Sequence, residues 1–228
     1  MSYYGKINTL YKRDKAVKGA PIIEGAYVSE EVEALADLRW EATEKIDGTN
    51  MSCEYHPGDE VVIIRGKTDR ASIPTHLLQR MQQIFTIEKL EDAFIKTNEL
   101  GEIVAPLKVE VFGEGYGYKI QKGENYISQN CDFILFDVRV TTSAGEKLWL
   151  TRDACEDVAQ TLGIAIVPLV GMMTLAEAVE CVRKGFVSSI AENRDYIAEG
   201  LVLRAPHGIL TRRGERLIVK IKHRDFKE

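Results

Sequence analysis

The stretch Glu44-Lys45-Ile46-Asp47-Gly48-Thr49-Asn50 holds the residues best suited to do chemistry. A lysine followed by x-Asp-Gly places a primary amine at a strand end, just before a glycine turn. An amine is a nucleophile only when unprotonated, and a free lysine is almost wholly ammonium at neutral pH. Neighbouring cations favour the neutral form. Taken alone, the pattern also describes a surface hairpin with an exposed lysine.

Two familiar phosphate-binding patterns fail. Arg65-Gly66-Lys67-Thr68 resembles the end of a P-loop, but the first glycine should fall at Val61. Gly113, Gly115 and Gly117 alternate, but a dinucleotide fingerprint needs glycine at Tyr118. The cysteines (Cys53, Cys131, Cys155, Cys181) contain no C-x-x-C, and the four histidines no H-x-x-x-H. A structural zinc site is therefore not expected.

The elements that must position these residues are mixed. Residues 31–38 read as a short helix capped by Ser29. Residues 40–46 and 50–55 flank the Asp47-Gly48 turn, and 61–64 form an apolar strand run. Residues 76–96 carry apolar side chains at helical spacing, with a break near Thr86. Strands are expected at 108–112, 133–140, 165–167, 201–203 and 217–221. Thr151 opens a helix that runs to Leu162 and stops at Gly163; Thr174 and Glu177 form a capping-box pattern for a helix ending at Gly185. Strands and helices do not alternate strictly, which favours an α+β fold.

The chain has 228 residues, is 45% apolar and 29% charged, and carries a net charge of −5. That describes an ordinary globular chain without a membrane-length apolar run. The start lacks an apolar secretory core, and the cysteines are scattered. Both lead to the expectation of a cytoplasmic protein with reduced thiols. The net charge hides an asymmetry. Residues 1–20 hold five basic groups and one acid, and residues 200–228 hold eight basic groups and three acids. Everything between is strongly acidic. Basic termini are either solvated or set toward a polyanion.

The order of motifs resembles the covalent nucleotidyltransferase superfamily of DNA ligases, RNA ligases and capping enzymes. Within it, the chain is most similar to ATP-dependent RNA ligases of the phage RNA ligase 2 and RNA-editing ligase type. Lys45-Ile46-Asp47-Gly48-Thr49-Asn50 matches the nucleophile motif. Arg65 follows at the place of a phosphate-binding arginine. Val111-Phe112-Gly113-Glu114 resembles the motif whose glutamate contacts the ribose. Phe133 to Val138 resembles the one whose aromatic, here Phe136, stacks on adenine. Glu199-Gly200-Leu201-Val202-Leu203-Arg204 resembles E-G-x-V-x-[KR], with its glutamate near the metal. Lys220-Ile221-Lys222 resembles the K-x-K that grips the α-phosphate, and the match continues in character through residues 223–228.

The resemblance implies an α+β nucleotidyltransferase domain over residues 1–228, with antiparallel sheets flanked by helices and the nucleotide pocket between them. It implies ATP, with AMP carried covalently on Lys45, and Mg²⁺ (or Mn²⁺) at Glu199. It groups Glu44, Asp47, Asn50, Arg65, Glu114, Phe136, Glu199, Lys220 and Lys222 as nucleotide-binding residues. The substrate implied is RNA with 3′-OH and 5′-phosphate ends. A DNA nick ligase, a capping guanylyltransferase and an inactive binding module are the alternatives.

The residue types fit. Arg65, Lys220 and Lys222 are cations for a developing phosphate charge, and Glu199 is an oxygen donor suited to a hard metal. Each also has a plainer reading: core packing for Phe136, a solvated loop acid for Glu114, an exposed strand face for the lysines. Two departures stand out. Asp47 occupies a position where phage RNA ligase 2 relatives often carry His. Only six residues follow Lys222, so no OB-fold or helical C-terminal domain is expected. Substrate grip would then come from this domain or from a partner protein. The N-terminal basic group, Lys6 to Lys18, becomes a candidate contact for nucleic-acid phosphates.

Overall fold

The computed structural model describes residues 4–226, apart from Asp69, Lys122 and Arg212 and the side chain of His207. Lys227 and Glu228, at the end of the resemblance, lie outside the described residues. In chain order the elements are β1 (Asn8–Thr9), β2 (Tyr11–Arg13), β3 (Ile22–Tyr27), α1 (Glu30–Ala34), β4 (Trp40–Glu44), β5 (Thr49–His56) and β6 (Val61–Gly66). Then come α2 (Thr75–Ile84), α3 (Ile87–Phe94), β7 (Lys96–Thr97), β8 (Ile103–Val104), β9 (Lys108–Gly117), β10 (Cys131–Thr141) and β11 (Lys147–Trp149). The chain ends with α4 (Arg152–Leu162), β12 (Ala165–Ile166), β13 (Leu169–Met173), α5 (Leu175–Lys184), β14 (Gly200–Arg204) and β15 (Ile218–Lys222). This is the expected α+β mixture.

Side-chain signals set the helix ends. Thr86 caps α3 by accepting from the Lys89 N–H at 3.4 Å, which is why the long apolar stretch is two helices. Thr151 caps α4, and Thr174 and Glu177 bond reciprocally at the start of α5. The helix expected at 31–38 is shorter, ending at Ala34, with Ser29 as its cap.

The chain gathers into two units. One takes Tyr4, Gly5 and Asp47–Val167; the other takes Lys6–Ile46 and the chain from Pro168 on. No composition break marks any of the three crossings. In the first unit, the sheet runs β11-β10-β9-β5-β6, with β12 added parallel to β10. Val109 and Val111 of β9, Met51, Cys53 and Tyr55 of β5, and Phe133 and Leu135 of β10 form one face. They pack with Leu77 and Met81 of α2, Leu90 of α3 and Val158 and Leu162 of α4. Burying this apolar face is what holds three helices to the sheet. The alternate residues, among them Asn50, Phe112, Glu114 and Arg139, share the opposite face.

In the second unit, the sheet order is β1-β15-β14-β4-β13, antiparallel except for β1 beside β15. Trp40 and Ala42 of β4, Leu201 and Leu203 of β14, and Val219 and Ile221 of β15 form its apolar face with Leu175, Val179 and Val182 of α5. The side chains between them, including Lys220 and Lys222, therefore stand on the other face.

Candidate active site

Lys45 stands one residue beyond β4, and its N–H bonds the Gly200 carbonyl at 2.9 Å. That bond extends the β4–β14 ladder to the base of the Lys45 side chain. Its Nζ is ion-paired with Glu199 Oε2, and Lys222 Nζ lies 2.5 Å from Glu199 Oε1. One carboxylate thus holds two ammonium groups. The Glu199 side chain is only 12% exposed. Burial pushes its carboxyl pKa up, but the charges and hydrogen bonds of Lys45 and Lys222 outweigh burial and hold it below the ordinary range.

Backbone geometry fixes Glu199. Its carbonyl accepts from the His223 N–H at 2.9 Å. The next residue, Gly200, has φ +151°, and a Cβ there would lie 2.1 Å from the Ile221 carbonyl oxygen. Only glycine lets β14 and β15 approach this closely beside the carboxylate. Lys220 is on the same sheet face, opposite Val202.

Glu44 is not brought together with this cluster. It is 2% exposed and pairs in register with Leu201, a residue of the apolar core. Paired residues share a face, so Glu44 points to the core side while Thr43 and Lys45 point to the lysine side. Neighbours in sequence on a strand end on opposite faces.

The remaining expected residues lie in the first unit. The Asp47 N–H reaches the Tyr126 hydroxyl at 3.4 Å. The Gly48 turn lies so close to β9 that a Cβ would meet the Gly115 oxygen at 2.4 Å and Glu114 Cγ at 2.8 Å. Asn50 sits directly opposite Glu114, which sits opposite Ile134. The register of β10 against β9 then shifts between Leu135 and Asp137, so Phe136 is the bulge residue. The bulge turns both Phe136 and Asp137 to the Asn50–Glu114 face. Tyr4 lies there too, its ring edge-on to Phe136 at 5.0 Å and its hydroxyl donating to Asp137 Oδ2 at 2.7 Å. Arg65 is 3.3 Å from Glu54, which also meets His56 and Lys108. Burial pushes the Glu54 pKa up, and these basic partners bring it net below its ordinary value.

Tyr4 and Tyr126 are not visible as site residues in the sequence. Neither lies in a periodic element, and each acts on a residue far along the chain.

What can the arrangement hold? Three lysines on one face suit a phosphate anion. Among the described residues no group of three or more His, Cys, Asp or Glu side chains converges. A cation at Glu199 would complete its shell with phosphate and water oxygens, the habit of a Mg²⁺-type ion.

Comparison with known proteins bears on the same residues. The model of the RNA ligase family matches residues 38–222. Among solved structures, the chain is similar to a variant of Naegleria gruberi RNA ligase with ATP and Mn, at 18% identity over 86% of this chain and 54% of that one, TM-score 0.59. It is also similar to a variant of that ligase without ligand, at 16% identity over 99% and 59%, TM-score 0.60. A third structure, of the ligase with PPi, matches at 19% identity over 84% and 51%, TM-score 0.57. At such identities the likeness is one of fold, and the chain spans between half and three-fifths of those proteins. The family match runs from before β4 to the last residue of β15, taking in Lys45, Glu199 and Lys222, and the chain belongs to the RNA ligase family.

Proposed function

We propose that the chain is the adenylyltransferase core of an ATP-dependent RNA ligase, joining RNA 3′-OH and 5′-phosphate ends. The observation that carries this reading is the Lys45–Glu199–Lys222 cluster: a potential nucleophile and a phosphate-binding cation sharing one carboxylate.

The chemistry is three substitutions at phosphorus. Lys45 Nζ gives up its proton and attacks the α-phosphorus of ATP; the bond to the β-phosphate oxygen breaks and pyrophosphate leaves. An oxygen of the RNA 5′-phosphate then attacks the same phosphorus, and the bond to Lys45 breaks. Last, the RNA 3′-oxygen loses its proton and attacks the 5′-phosphate, and AMP leaves. In each step the protein aligns atoms and neutralises charge.

The cluster is a resting arrangement. Lys45 Nζ is engaged by Glu199, so the pair must part before the amine can attack. In this reading Lys222 and Lys220, which share one sheet face, meet the α-phosphate. A divalent cation bound at Glu199 supplies further charge neutralisation there. Phe136, turned out by its bulge, offers a ring to the adenine, and Glu114 offers a carboxylate to the ribose.

The test is incubation with α-labelled ATP and Mg²⁺. An acid-labile, base-stable protein–AMP adduct is expected from the native chain and none from Lys45→Ala. No adduct, or equal labelling of both, rules the reading out. Nicked duplexes with an RNA or a DNA 3′-OH strand then read the substrate.

A further inference from the structure

The basic ends of the chain meet in one place. In the second unit, a groove of about 700 Å³ is lined by residues 6–9, by Arg13, Lys18, Gly19, Pro21 and Ile22, and by the end of β15 and the residues after it. Six of its lining side chains are basic and one is acidic, in a chain whose net charge is −5. The single acid, Asp225, is already neutralised. Arg13 Nη2 lies 2.7 Å from its Oδ1, and the Lys222 N–H donates to its Oδ2 at 3.2 Å. Arg13 also donates to the Ala20 carbonyl at 2.9 Å, so it ties the β2–β3 loop to the turn after β15. That leaves Lys6, Lys18 and Arg224 exposed and without an ion pair among the described residues. The same groove reaches Lys220 and Lys222, the cations of the candidate site.

Such a groove is a polyanion site by its charge. Six basic side chains around one groove are more cations than a single phosphate needs. Among the described residues no aromatic side chain lines it, so bases have nothing to stack on, and lysine and arginine heads reach phosphates without reading sequence. We propose that this groove takes the phosphodiester backbone of the nucleic-acid strand, leading its end to Lys220 and Lys222. The proposal rests on the ligase reading above. The other source of the same chemistry is the triphosphate tail of ATP.

The experiment compares two double variants of the full chain with equal charge change. Lys6→Ala/Lys18→Ala empties the groove of two cations. Lys12→Ala/Lys15→Ala removes two exposed lysines of the same segment that do not line it. Binding of a nicked RNA duplex is measured by anisotropy across a salt series, and self-adenylation with labelled ATP is measured alongside. The groove variant is expected to bind at least tenfold more weakly. Its log–log salt slope should shrink by about two, close to one unit for each phosphate no longer neutralised. The control variant should bind much as the native chain does, and both should keep the native KM for ATP.

Equal weakening by the two variants, or none by the groove variant, overturns the proposal. A raised KM for ATP with unchanged RNA binding assigns the groove to the triphosphate and overturns it as well. If the native chain forms no adduct, the ligase reading fails; duplex binding still decides whether this groove takes a nucleic-acid backbone.

Discussion

The Tyr4 hydroxyl donates to the Asp137 carboxylate at 2.7 Å, joining the start of the described chain to the middle of β10. Asp137 is 0% exposed, and the Tyr4 ring also packs against Phe112, Phe136 and Trp149. Tyr4→Phe keeps the ring and removes one donor from a buried carboxylate. It is expected to cost about 1–3 kcal/mol, read as a lower urea midpoint. An unchanged midpoint would show that the bond contributes nothing.

Glu199 gives the pH dependence its sign. Its folded-state pKa lies below the ordinary 4.5, so its contribution is full above that value and is lost as the pH falls through the folded value. Glu199→Gln leaves Lys45 and Lys222 facing each other without the shared carboxylate. The stability gap between the native chain and this variant should be constant near neutrality and narrow below pH 4.5. A gap that stays level into acid would contradict the ion-pair account.

Phe136 is the residue for which packing and stacking make different forecasts. Base–aromatic stacking contributes about 1–3 kcal/mol per base. Phe136→Leu should therefore raise the KM for ATP about fivefold or more while the chain stays folded at 25 °C. If thermal stability falls and the KM holds, the ring serves only the packing with Tyr4.

At Gly48 the forecast concerns space. The methyl of Gly48→Ala would lie 2.4 Å from a backbone oxygen of β9, which cannot swing away as a side-chain tip can. The turn must shift, at a cost of about 1–3 kcal/mol. Since Gly48 is three residues from Lys45, adduct formation should fall more than stability does. Native adenylation rates in Gly48→Ala would mean that the turn does not position the amine.

Most of the candidate site is legible in the sequence because its residues sit in short runs on strands or at their ends. Lys45, Glu199, Lys220 and Lys222 follow from motif order alone, and the i, i+2 spacing of the two lysines already puts them on one face. What stays hidden is whatever depends on register. Glu44 adjoins Lys45 in sequence, yet alternation sends its side chain to the core. The facing of Phe136 depends on a bulge that no residue type at 135–137 announces. Arg65 meets Glu54 because β5 and β6 pair as they do. The short strands β1, β2, β3, β7, β8, β11 and β13 escape because two to six residues carry too little periodicity. The helix ends are easier, since Thr86, Thr151, Thr174 and Gly163 act locally.

The pairing of β1 with β15 sets a timetable for the growing chain. Residues 47–167 leave the ribosome as a nearly continuous block and can bury their sheet against α2–α4 at once. The second unit cannot. Its first strand waits through the synthesis of all the others before Val219 and Lys220 arrive to pair with it. Contacts this distant in sequence form slowly. Lys45 is made early but meets Glu199 and Lys222 only after more than 150 further residues have been added, so this cluster is among the last parts of the second unit to assemble.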